Sequence, residues 1–118
     1  MSEYQTDSTA RIARFELDYT TRYLKSSSRT EMWKHGKTSI QGCTSVNGTY
    51  YFTKSHGESG KSEILKWNGK ASSNIVSLGA KYAIGAEDLT YWRDKNRLWS
   101  VAEHPNKRMV WAVKATGL

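Results

Sequence analysis

Two stretches decide the fold. The first is Gln41-Gly-Cys-Thr-Ser-Val-Asn-Gly-Thr-Tyr-Tyr-Phe-Thr-Lys-Ser-His56, followed by Glu63-Ile-Leu-Lys-Trp67. The second is Glu87-Asp-Leu-Thr-Tyr-Trp-Arg-Asp-Lys-Asn-Arg-Leu-Trp-Ser-Val-Ala-Glu-His104, followed by Met109-Val-Trp-Ala-Val113. They lie about 46 residues apart. Cys43 falls on Leu89, Thr44 on Thr90, His56 on His104, and Ile64-Leu65 on Val110-Trp111. With one extra residue allowed in the second turn, Tyr51-Phe52-Thr53 falls on Leu98-Trp99-Ser100.

A repeat of this length with short strands inside each copy is the signature of β-propeller blades. The strands follow from local chemistry. Val, Ile, Thr, Tyr and Trp come in short runs between Gly, Asn, Asp and Ser clusters. Asn47-Gly48 is the strongest hairpin signal, because both positions accept positive φ in a type I′ turn. Strands are expected at 42–46, 49–54, 62–67 and 74–78 in the first copy, and at 88–92, 97–102 and 107–113 in the second. Turns or loops fall at Arg93–Asn96, at His56–Gly60, and at Glu103–Asn106 with the single proline. Upstream, Arg11–Asp18 alternates apolar and polar residues as an amphipathic strand does, and Glu31–Lys34 is a short strand.

The expected fold is therefore all-β, with antiparallel four-stranded blades forming a partial propeller of about two and a half blades. Residues 1–118 make one domain. Residues 1–9 are expected to be disordered, 10–37 to form strands of an incomplete blade, 38–80 a complete blade and 81–118 the last blade.

At 83–113 the pattern becomes specific. Ala86-Glu-Asp-Leu-Thr-Tyr91, Arg97-Leu-Trp-Ser-Val101, Glu103-His-Pro-Asn-Lys-Arg108 and Val110-Trp-Ala-Val113 resemble the last blade of secreted actinobacterial β-propellers of unassigned function. Residues 41–67 look like their preceding blade, with Gln-Gly in place of Glu-Asp. More distantly the chain is similar to esterase-like phytase and strictosidine-synthase-like propellers. The resemblance implies the C-terminal part of a larger secreted propeller. The start as written shows no signal-peptide pattern, so the chain is expected in the cytoplasm, or secreted if it is a fragment of a longer precursor.

Composition bounds the function. The net charge is +7, but the basic residues are scattered and mark no nucleic-acid stripe. An anionic partner or small molecule remains open. No run reaches the roughly 18 apolar residues of a membrane span. The single Cys43 allows no internal disulfide and reads as a small buried apolar residue in a strand. The Trp residues read mainly as packing.

Blade geometry gathers the residues entering the first strand and those leaving the second on one rim. These are Gln41, His56, Glu87, Asp88, Glu103 and His104. Glu87 and Asp88 could ligate a hard cation such as Ca²⁺ through oxygen, with imidazole nitrogens shifting the preference to a transition metal. The same side chains could equally cap strands and loops. No H-E-x-x-H, P-loop, G-x-S-x-G or paired C-x-x-C is present. The reading is a non-enzymatic binding or structural module. The alternative is the remnant of a divalent-metal-dependent esterase or phytase-like hydrolase. Open strand edges at Lys107–Val113 and Arg11–Asp18 are expected to pair between copies into a dimer or trimer.

Overall fold

The computed structural model describes residues 2, 7–57, 59–116 and 118. The chain is all-β and antiparallel, with nine strands in three sheets among the described residues. The first sheet pairs β1 (Arg11–Phe15) with β2 (Arg29–Lys34). The second has the order β3 (Ile40–Val46), β4 (Thr49–Lys54), β5 (Lys61–Trp67), β6 (Val76–Ile84). The third has the order β7 (Ala86–Trp92), β8 (Arg97–Ala102), β9 (Met109–Lys114). Short 3₁₀ turns at Ser26–Ser28 and Arg93–Lys95 are the only helical turns among the described residues, and no helix there is long and apolar enough to cross a membrane.

Most strand boundaries agree with the sequence pattern, and the departures have local causes. β1 stops at Phe15 rather than Asp18, because the Asp18 carboxylate accepts from the amides of Thr20 and Thr21 and turns the chain. β6 runs on to Ile84 because Gly79, at φ +95°, carries the strand through an irregularity. Asn47 (φ 48°) and Gly48 (φ 79°) make the expected hairpin turn. Of the N-terminal segment expected to be disordered, Ser2 bridges to Ile12, and the Asp7 carboxylate accepts from the Thr9 amide at 2.7 Å. The rest, residues 1 and 3–6, lies outside the described residues, as does residue 58 in the loop after β4.

Strand alternation divides the core into two layers, one on each face of the middle sheet. Tyr50, Phe52, Leu65 and Trp67 face the first sheet and pack with Ile12, Trp33, Ile40 and Ile75. Trp33 meets Trp67 edge-on at 4.9 Å. Tyr51 and Ile64 face the third sheet and pack with Leu89 and Leu98. Tyr82 stacks on Trp111 at 5.3 Å to extend that layer. The middle and third sheets approach most closely at their first strands, β3 and β7.

The middle and third sheets stack in the same sense. Cys43, Phe52 and Leu65 lie side by side across the middle sheet, and Leu89, Ser100 and Trp111 do so across the third. Both rows face the preceding sheet. Ile40–Gly42 and Ala86–Leu89 carry register irregularities at matching places. This register corrects one part of the correspondence between the two stretches. Val46 pairs with Thr49 and Trp92 with Arg97, so the second turn is longer by two residues rather than one. Tyr50-Tyr51-Phe52, not Tyr51-Phe52-Thr53, therefore corresponds to Leu98-Trp99-Ser100. A slip of one residue exchanges the two faces of a strand, so the difference decides which side chains meet.

Candidate functional site

β3 and β7 run side by side, and three groups hold the two sheets together there. Gly42 is the first. A Cβ on it would lie 2.5 Å from the Leu89 amide nitrogen and 2.6 Å from Asp88 Cα, so only glycine permits this approach. Thr53, fully buried, is the second. Its hydroxyl accepts from the Gly42 amide at 3.0 Å and donates to the Glu87 carbonyl in a short bond. Ser62, also fully buried, is the third: its hydroxyl accepts from the Ala86 amide at 3.0 Å. Backbone groups at the start of β7 are thus satisfied by side chains of the middle sheet. Sequence reading missed all three residues, since small residues inside strands carry no motif.

Around this seam the structure brings together Glu87, Glu103 and His104. The Glu103 amide donates to the Gly85 carbonyl at 3.0 Å, and His104 packs on Gly85, which has φ +70°. Burial, and then the nearby charge of Glu103, push the Glu87 carboxyl above the usual range. His104 Nδ1 is buried with no hydrogen-bond partner among the described residues. Gln41 lies at the matching place in β3, half-buried. Asp88 is exposed and lines a different surface, the groove on the outward face of the third sheet, where its Oδ1 accepts from the Leu89 amide at 2.7 Å.

His56 turns instead to β5. Its Nε2 lies 2.7 Å from Glu63 Oε1, and the Ser77 hydroxyl donates to Glu63 Oε2 at 2.6 Å. Lys54 Nζ is 3.8 Å from the same carboxylate. Burial alone would raise the Glu63 carboxyl, but these partners outweigh it and hold the group below its ordinary value. The base that the Ser77 hydroxyl meets is the Glu63 carboxylate, made weaker by its lowered value, and the imidazole bonds the carboxylate's other oxygen, so the cluster is not a serine–histidine pair. Glu63 was legible in one respect: it is a charge on the inward parity of an apolar strand, and such a charge needs partners.

The residues do not fit a metal ion. Among the described residues no group of three or more His, Cys, Asp or Glu is placed to hold one. Glu87 and Glu103 are a pair, while Asp88 lines the outward groove. Cys43 corrects a further expectation: it is exposed and lines the groove between the first two sheets. Protein atoms flanking the thiol still displace enough water to push it up to about 11, which favours the protonated form at neutral pH.

Comparison with protein-family models, with curated proteins and with solved structures finds no match to this chain.

Proposed function

We propose that the chain is a non-catalytic binding or structural module whose sheets pack as propeller blades do, as in the C-terminal part of a larger secreted propeller. The observation that carries this reading is the same-sense stacking of the two repeats. In each, the first strand lies at the sheet edge, the irregularity falls at the same place, and side chains of equal rank face the preceding sheet. Blades arranged about an axis meet in this way. The rim of Gln41, Glu87, Glu103 and His104 supports a polar contact surface rather than a reaction centre, because no nucleophile there is paired with a base.

The test is turnover. Phosphate and carboxylic ester substrates are offered with and without Ca²⁺, to the wild type and to the double variant Glu87→Gln, Glu103→Gln. This reading predicts no turnover above background in either protein. Hydrolysis that requires the two carboxylates would overturn it in favour of the hydrolase remnant.

A further inference from the structure

The first sheet has two strands and the middle sheet four, so the one cannot cover the whole face of the other. The gap falls at Cys43. Cys43, Phe52 and Leu65 lie side by side on the face toward the first sheet; Phe52 and Leu65 are each 1% exposed, whereas Cys43 is exposed. By register Cys43 holds the place in the middle sheet that Leu89 holds in the third, and Leu89 is 3% exposed. A short side chain at the uncovered end of the row leaves a cavity of about 150 Å³ between the two sheets.

The walls are aromatic. Tyr50, Phe52 and Trp67 line the cavity from the middle sheet, and Phe15 and Trp33 from the first. Trp67 is held edge-on by Trp33 at 4.9 Å and tilted against Tyr50 at 5.5 Å between centroids. Rings fixed in this way by their own packing lose little freedom when a ligand enters, which makes the cavity pre-formed. An apolar cavity of about this volume holds one benzene-sized ring. Edge-to-face and offset contacts with the surrounding rings favour an aromatic guest over a saturated one of the same size.

Charge narrows the ligand further. Among the described residues Arg14 is the one charged side chain on the wall. Its guanidinium lies 5.5 Å over the Trp33 ring, and its Nη1 is 2.6 Å from Glu31 Oε2. Asp88, whose charge is felt at the Cys43 thiol, belongs to the third sheet. The guanidinium is therefore already neutralised. An anion would bring a second negative charge beside Glu31, and a cation would meet Arg14, so either would leave water for a wall with no unspent charge. A neutral, electron-rich ring avoids that cost, and its face attracts a guanidinium as the Trp33 face does. The remaining N–H groups of Arg14 are donors for a hydroxyl or carbonyl on such a ring. We propose that the cavity between the first and middle sheets binds a small, neutral aromatic molecule, which enters between Cys43 and Arg14. The site is separate from the rim and does not depend on what the rim binds.

Nitrogen-edited NMR spectra of the full chain, titrated with phenol, test it. The indole N–H signals of Trp33 and Trp67 are expected to shift saturably with a Kd of about 1 mM or tighter, while those of Trp92 and Trp99 stay still. Benzoate, benzylammonium and cyclohexanol are expected to bind at least about fivefold more weakly. Cys43→Phe fills the cavity from an exposed position and weakens phenol binding at least about tenfold, whereas Cys43→Ser changes it by less than about twofold. Arg14→Met keeps the stem but removes the guanidinium, and weakens binding about two- to fivefold. Unchanged far-UV spectra show that the variants fold, and Arg14→Met still decides if Cys43→Phe does not. The absence of a saturable shift at Trp33 and Trp67 up to about 10 mM phenol overturns the proposal. So does binding that both Cys43→Phe and Arg14→Met leave unchanged, which would place the ligand elsewhere. Cyclohexanol binding as tightly as phenol overturns the aromatic class, and benzoate or benzylammonium binding more tightly than phenol overturns the neutral one.

Discussion

Gly42→Ala tests the seam between repeats most sharply. The added methyl meets three backbone atoms of β7: Leu89 N at 2.5 Å, Asp88 Cα at 2.6 Å and Asp88 C at 2.7 Å. None is the end of a flexible side chain, and ordinary carbon contacts need about 3.5 Å or more. β7 must therefore retreat by about 1 Å, which stretches the Thr53 bond to the Glu87 carbonyl and loosens Tyr51, Ile64, Leu89 and Leu98. Overpacking costs about 1–3 kcal/mol. The weakened buried hydrogen bond adds about 1 kcal/mol. Lower unfolded-state entropy offsets about 0.5 kcal/mol. The net expectation is a loss of about 1.5–3.5 kcal/mol, or a fall of about 1–2 M in the urea midpoint read by tryptophan fluorescence. Gly60→Ala is the control: its Cβ would meet nothing nearer than His56 Cβ at 3.7 Å, so the midpoint should hold or rise slightly. A Gly42→Ala protein within about 0.5 kcal/mol of wild type would refute the close approach of β3 and β7.

Other consequences follow from the same groups. Thr53→Val keeps the shape but orphans the Gly42 amide and the Glu87 carbonyl, and should cost about 1–3 kcal/mol in the same urea assay. Glu63 titrates below its unfolded value in the folded chain, so its contribution is present above the unfolded value and lost as pH falls through the folded one. Acid denaturation of Glu63→Gln should accordingly show a shallower acid limb than wild type. Glu87 has the opposite sign: its raised folded value favours the protonated form, so its contribution is present at low pH and lost as pH rises through that value. Glu87→Gln should then raise the melting temperature at pH 7 and leave it little changed near pH 4. Millimolar Ca²⁺ should leave the melting temperature of the wild type unmoved, and a clear rise would show a cation site that the Glu87–Glu103 pair alone does not provide.

Much of this was written in local sequence. Asn47-Gly48 set one hairpin, and the recurrence of Cys43 and Thr44 at Leu89 and Thr90 set the other by analogy. The facing of β4 was not legible, because Tyr50, Tyr51 and Phe52 are aromatic in succession and the period of two is hidden. The second turn added to this, since Arg93–Asn96 replaces two residues by four through a 3₁₀ turn closed by Asn96 at φ 46°. β6 outran its pattern because Gly79-Ala80-Lys81 breaks the alternation. At the site, the sequence pattern named Glu87, Glu103 and His104 among six rim residues, and these three lie near Gly85 and the start of β7, while Asp88 and His56 face elsewhere. The pattern could not assign His56 to Glu63, which depends on how the loop after β4 crosses to β5. Gly42, Thr53 and Ser62 were invisible because their role is to let two backbones touch, which only the packed structure displays.

The packing rests on the middle and third sheets stacking in the same sense, with β3 against β7 and Leu98 turned toward Tyr51 and Ile64. Nuclear Overhauser contacts in a labelled sample read it directly. The account predicts cross-peaks from Gly42 Hα to the Leu89 amide proton, and from the Leu98 methyl groups to the Tyr51 ring and the Ile64 methyl groups. Cross-peaks to Tyr51 from the Trp99 indole instead, with Leu98 free of β4 and β5, would contradict it.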